Sequence, residues 1–194
     1  MQPTSSIKQI MMQKLTNLQF RLIRSGDGQF NLTEGRSVFI NGGQVSSASE
    51  FGRAFNGLIW LTYKKDFRAL LIEKAEVQGK KLEHLSSDCG WGCTIRSAQM
   101  LIANALARTK SLGREAILKL FDDSERGAAL SAFSFQNVAV EGLEVGKLPG
   151  DWYGVNTICN LFEKLNERYQ PVKQFKICNF QDGNIICDRI NACA

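Results

Sequence analysis

One histidine, His84, stands in 194 residues, so no site that needs two imidazoles can be built from this chain alone. No run approaches the ~18 consecutive apolar residues that span a bilayer. Dense Lys/Arg clusters interleaved with aromatics, the footprint of a nucleic-acid surface, are also missing. The net charge of +5 comes from residues before Ala98 and is spread along them, which suits an ordinary solvated surface. Nucleic acid is therefore not an expected partner. Six cysteines invite a zinc or disulfide reading, but paired Cys-x-x-Cys spacings are lacking and His84 is poor support for a mixed site. Met1 to Ser25 has neither a compact apolar run nor a small-residue cleavage site, so a secretory start is not expected. Reduced, cytoplasmic thiols follow as the expectation, with no metal or organic cofactor.

What is present suffices for a core. Apolar residues make up 44% and charged residues 22%, ordinary values that exclude wholesale disorder. A mass of 21.6 kDa fits one domain or a piece of a larger one. Residues 1–36 read as an N-terminal extension. Within the first 26 residues Lys8, Lys14, Arg21 and Arg24 are unopposed by acid, and Ile7, Ile10, Met11, Leu15 and Leu18 recur at helical spacing. Such a helix either docks or frays, or it serves as a presequence or as peripheral membrane contact.

Residues 37–194 read as folded domain. Ser37 to Ile40 predicts a strand closing at Asn41-Gly42-Gly43, and Gln44 to Ser49 a polar loop. Phe51 to Lys65 offers Phe55, Leu58, Ile59 and Tyr63 as one helical face. Cys93 to Arg108 is the clearest helix, with Ile95, Ala98, Leu101, Ile102, Ala105 and Leu106 on its apolar side. Arg114 to Phe121 is a shorter helix closed by Asp122-Asp123. Asn156 is expected to cap a third, whose apolar positions are Ile158, Leu161, Phe162 and Leu165. Val172 to Phe180 alternates like a strand and turns at Gln181 to Asn184.

The chemistry concentrates in Ser87-Asp88-Cys89-Gly90-Trp91-Gly92-Cys93. A cysteine at a helix start faces unpaired backbone N–H groups and the positive end of the helix dipole, which favour thiolate over thiol. Gly92 and Gly90 leave backbone free to approach a substrate, and Trp91 can wall the cleft. The plainer reading is a buried, inert cysteine. Cys89, four residues earlier, is either a redox partner or an accidental neighbour.

This segment resembles the autophagins, autophagy-related cysteine proteases whose nucleophile lies in Ser-Asp-x-Gly-Trp-Gly-Cys at the start of a long helix. Two further segments match in order. Trp60-Leu61-Thr62-Tyr63-Lys64-Lys65-Asp66-Phe67 is similar to the family's Trp-x-Thr-Tyr-Arg-Lys-x-Phe. Gly150-Asp151-Trp152-Tyr153-Gly154 is similar to its Gly-x-Trp-Tyr/Phe-Gly-Pro. The resemblance runs from about Ser37 to the end, the N-terminal part of such an enzyme. It implies an α+β, papain-like cysteine protease fold, incomplete here, with its central helix starting at Cys93. It further implies that Cys93 is the nucleophile, that Tyr63 lends oxyanion support, and that Trp152 flanks the groove for a glycine tail. Tyr63 as a core aromatic remains the alternative, as does Trp152 in the core. The implied substrate is a ubiquitin-like autophagy modifier, cut after its C-terminal glycine either as free precursor or from phosphatidylethanolamine.

Three positions depart from the pattern. Val155 replaces a proline, Gln136 stands where the family usually shows histidine, and the downstream Asp-Pro-His segment is missing. A cysteine protease needs an imidazole to move the thiol proton, and in papain-like enzymes it follows the cysteine by about 130–150 residues. After Cys93 no histidine occurs, and His84 reads as a surface residue. Two expectations follow: the front part of a protease lacking its base, or a non-catalytic homologue that binds the modifier.

Overall fold

The computed structural model describes residues 38–66, 87–124, 126–180, 187, 188 and 190. The chain divides into two compact units, Met1–Trp60 and Leu61–Ala194, and the described elements are of α+β type. The expected N-terminal helix, the boundary at 36–37, His84 and the turn at 181–184 lie outside the described residues. No helix among the described residues is long and apolar enough to cross a membrane.

In the first unit, β1 (Val38–Ile40) and β2 (Gly43–Val45) pair antiparallel, with Val38 opposite Val45 and Ile40 opposite Gly43. Asn41 and Gly42 make the turn with φ of 51° and 77°, the left-handed pair that a tight hairpin demands. Gln44 and Val45 thus belong to a strand rather than to the expected loop. Helix α1 (Ala48–Gly57) begins where Ser47 caps it, its hydroxyl accepting from the Glu50 amide, while the Glu50 carboxylate accepts from the Ser46 amide at 2.8 Å. Reciprocal capping starts the helix earlier than apolar spacing suggests. It stops at Gly57, because Leu58 is extended with ψ of 149°. The expected helix through Lys65 is therefore corrected, and Tyr63 lies in neither helix nor strand.

The second unit is helical: α2 (Cys93–Thr109), α3 (Arg114–Lys119), α4 (Phe135–Leu143) and α5 (Val155–Tyr169). The buried side of α2 is Ile95, Arg96, Gln99, Ile102, Ala103 and Leu106. Leu101, expected inside, is 73% exposed. The face is rotated because Arg96 and Gln99 are drawn in by polar partners that an apolar count overlooks. Gln99 donates to the Phe133 carbonyl at 2.8 Å, and Phe133 is fully buried against Phe121 and Phe162. Truncating such a phenylalanine typically costs about 3–5 kcal/mol.

Helix α4 starts at a fully buried Ser134, whose hydroxyl accepts from the Asn137 amide. The buried positions Ile158, Leu161, Phe162 and Leu165 of α5 follow the expected spacing. Its cap is Gly154 rather than Asn156, and no side chain satisfies the first turn. A bidentate pair from Arg168 to the buried Glu141 carboxylate joins α5 to α4. Residues 175–180 form no strand: Asn179 is held by the side chains of Glu163 and Asn160 on α5. Side-chain acceptors take the place of a ladder there. Cys89, Cys93, Cys159 and Cys187 form no disulfide. Cys178 is disulfide-bonded, which corrects the expectation of reduced cysteines throughout.

Candidate active site

The turn before α2 is built around Asp88. Its main-chain carbonyl accepts from the Trp91 amide at 3.3 Å and from the Gly92 amide at 2.8 Å. Gly90 turns the chain with φ of +91°, a conformation costly for residues with a Cβ. Trp91 lies inside, 3% exposed, with its indole N–H donated to the Ser87 carbonyl at 2.9 Å and its ring edge-on to Phe135. It supports the turn from beneath and presents almost no surface to a ligand. Gly92 is required by space: an added Cβ would lie 2.8 Å from both Asp88 Cβ and Phe135 Cε2. Cys93 then emerges half-buried as the first residue of α2, with no side-chain cap on Gly92 to occupy the first-turn N–H groups.

The irregular chain at Tyr63 is laced to this turn. The Lys64 amide donates to Asp88 Oδ1 at 2.7 Å, and the Lys64 carbonyl accepts from the Asp88 amide and the Ser87 hydroxyl. That lacing brings the half-buried Tyr63 within electrostatic reach of the Cys93 side chain. Burial pushes the Tyr63 phenol above 10, reinforced by Cys93, Cys89 and Asp88 where they carry negative charge. The hydroxyl therefore keeps its proton across the physiological range and remains a donor.

Behind the turn lies a polar cluster that spacing did not single out as functional. Asp88, Arg96 and Asp123 are 0%, 3% and 3% exposed. Arg96 Nε donates to Asp88 Oδ2 and Arg96 Nη1 to Asp123 Oδ2, both at 2.5 Å, and Nη1 also reaches Gln99 at 3.0 Å. The guanidinium stacks over Phe135, 4.6 Å from the ring centre. Asp123 Oδ1 accepts from the Phe135 amide at 2.7 Å, which fixes the start of α4. The available signal was a charged residue one turn into an otherwise apolar helix, with an aspartate five positions ahead of the cysteine. Gln136 also belongs here, donating to the Asp123 carbonyl at 3.0 Å.

Trp152 stands at the opening of the site. It is 65% exposed, and its indole N–H is donated to the Gly90 carbonyl at 2.9 Å. Val155, where a proline was anticipated, is 69% exposed beside it in sequence. Tyr153 between them is buried, tilted against Trp91 and pressed on Gly142, with its hydroxyl unpaired. The structure thus sets Tyr63 near Cys93 and ties Trp152 to the turn at Gly90, while Trp91 lies beneath. Cys89 is half-buried and close enough to Tyr63 to act on it electrostatically. Among the described residues no group of three or more His, Cys, Asp or Glu could hold a metal.

Comparison with known proteins agrees on a family. The model of the peptidase C54 catalytic domain matches residues 48–194. The chain is similar to "Cysteine protease ATG4A" of Oryza sativa subsp. indica, 34% identical over 139 residues, covering 62% of this chain and 26% of the relative. It is likewise similar to "Cysteine protease 1" of Neurospora crassa, 32% identical over 142 residues, covering 60% of this chain and 27% of the relative. A third, "Probable cysteine protease atg4" of Aspergillus oryzae, is 32% identical over 136 residues, covering 58% of this chain and 32% of the relative. The chain therefore spans about a quarter to a third of the length of these relatives.

Proposed function

The chain belongs to the peptidase C54 family, and from that membership we propose that it carries the nucleophile side of a cysteine endopeptidase of autophagy. Its substrate is a ubiquitin-like autophagy modifier, cleaved after the C-terminal glycine. The Cys93 thiolate attacks the glycine carbonyl to give a thioester, and water hydrolyses it. The same step matures the precursor and releases the modifier from phosphatidylethanolamine. The observation that carries this reading is the placement of Tyr63 beside Cys93 at a helix start whose N-cap, Gly92, supplies no side-chain cap. A donor held there can move to an oxygen as it gains negative charge, and such donors are typically worth about 2.7–4 kcal/mol.

Recognition falls to the opening. A glycine tail has no side chain to accommodate, so a narrow path past Gly90 and Gly92 suffices, with Trp152 covering it from one side. The wider fold is papain-like, with the base on sheet structure not found among the described elements. In this sequence the sole imidazole is that of His84, ahead of Cys93, so thiol deprotonation and leaving-group protonation lack their usual carrier. The 194-residue chain by itself is expected to leave the natural precursor uncut. Cytoplasmic residence and membrane contact through residues 1–36 belong to the same proposal.

A second reading, a non-catalytic module that binds the modifier, is favoured by the exposed Trp152, which offers an aromatic face to a partner. One experiment separates the two. The chain is mixed with the modifier carrying a vinyl methyl ester in place of its terminal glycine carboxylate. The protease reading predicts a single covalent adduct located at Cys93 by peptide mass spectrometry, and none with Cys93→Ser. Saturable binding without any adduct would instead establish the binding module.

A further inference from the structure

Three buried charges lie behind the thiol, and burying them is expensive. Taking an ion out of water costs several kcal/mol, and well-packed apolar residues of similar volume often serve stability as well or better. Arg96 lies on the buried face of α2 among Ile95, Ile102 and Leu106, where a methionine would pack. Its partners explain its use. Asp88 spends Oδ1 on the Lys64 amide, Oδ2 on Arg96, and its carbonyl on the amides of Trp91 and Gly92. Asp123 spends Oδ1 on the Phe135 amide and Oδ2 on Arg96. One planar guanidinium therefore ties the chain at Tyr63, the turn before Cys93 and the start of α4 to a single point. Lysine, a point charge, cannot hold two carboxylates in that fork geometry.

We propose that Arg96, acting through Asp88, is the positioning residue that holds the chain at Tyr63 against the turn that presents Cys93. Arg96 touches neither Tyr63 nor Cys93. Its main path runs from guanidinium to Asp88 carboxylate, from carboxylate to Lys64 amide, and from Lys64 to the neighbouring tyrosine; Asp123, which Arg96 also holds, adds a weaker one, its Oδ2 lying 3.8 Å from Lys64 Nζ. The inference rests on the reading of Cys93 as the reacting sulfur.

The test is a double-mutant cycle on the rate at which iodoacetamide labels Cys93 in the 194-residue chain, resolved by peptide mass spectrometry. Tyr63→Phe is expected to slow labelling about tenfold, the scale of one hydrogen bond to a group carrying negative charge. Arg96→Met is expected to slow it comparably, and the double variant to be no slower than Arg96→Met alone. Arg96→Lys should show the same pattern and serves where Arg96→Met does not fold. Cys159, half-buried on α5, is the internal reference and should label at an unchanged rate. Factors that multiply in the double variant would overturn the proposal, as would wild-type labelling of Cys93 in both Arg96 variants or parallel acceleration at Cys159. The vinyl methyl ester adduct reports on Cys93 independently. If it still forms at Cys93 while the cycle proves multiplicative, only the role of Arg96 falls.

Discussion

Two helices of the second unit begin alike and end up different. Helix α2 starts at Gly92 and helix α5 at Gly154, and neither glycine supplies a side-chain cap. At Gly92 the surroundings are closed: a Cβ would strike Asp88 and Phe135, and buried charges pin the turn from behind. At Gly154 they are open, the nearest atom to a Cβ being Thr157 Oγ1 at 3.9 Å. The residue launched from the first is a half-buried cysteine, while the second is flanked by an exposed tryptophan and valine. An uncapped helix start leaves N–H groups for some other acceptor, and the packing around it decides what it can do. A locked start suits chemistry, where small displacements are costly. An open one suits contact with a large partner.

The contrast can be broken by substitution. Arg96→Met leaves the buried Asp88 carboxylate without its cation and Asp123 with only Lys64 at 3.8 Å, and should cost about 3–5 kcal/mol, read as a lower denaturation midpoint at unchanged slope. Gly92→Ala should cost about 1–3 kcal/mol by overpacking, while Gly154→Ala costs under about 1 kcal/mol. Equal losses at the two glycines would erase the distinction drawn here. Trp152→Ala should change stability by less than about 1 kcal/mol, because its ring is mostly in solvent. Modifier binding should nevertheless weaken at least about tenfold, the scale of a buried aromatic anchor.

The smallest effect concerns Tyr153. Its hydroxyl is buried without a partner, so Tyr153→Phe should be neutral or stabilising by about 0.5 kcal/mol near neutral pH. Burial, helped by the Asp151 charge, raises its phenol well above 10. The folded state thus holds that proton more tightly than the unfolded chain. Stability from this group is complete below pH 10 and lost as pH rises above it. Comparing denaturation midpoints between about pH 8 and about pH 11 should show a shallower alkaline decline in Tyr153→Phe than in the parent.

Periodicity located α2 and α5 because each buries an apolar stripe, and Asn41-Gly42 marked the end of β1 because that pair fits a tight turn, whereas the returning strand β2 read as a polar loop. The cysteine at the α2 start, with glycines before it, was legible for the same local reason. What escaped was non-local. Tyr63 looked helical because its apolar neighbours recur every three or four residues, yet the side chain of Asp88, 24 residues beyond Lys64, captures the Lys64 amide and draws the chain out of a helix. Leu101 looked buried because Arg96 and Gln99 were counted as polar, yet both find partners inside. Residues 172–180 alternate like a strand, but α5 side chains take their hydrogen bonds. Helix α4 was missed although Ser134 caps it, since its burial depends on Phe135 docking against Trp91.

The division of labour between the two helix starts is tested most directly by the kinetics of covalent capture. The vinyl methyl ester form of the modifier is titrated against the parent chain, Arg96→Lys and Trp152→Ala, and adduct formation is fitted to a maximal rate and a half-saturating concentration. The account predicts that Arg96→Lys lowers the maximal rate at unchanged half-saturation, and that Trp152→Ala raises the half-saturating concentration at unchanged maximal rate. Both variants moving the same parameter, or Trp152→Ala moving neither, would contradict it.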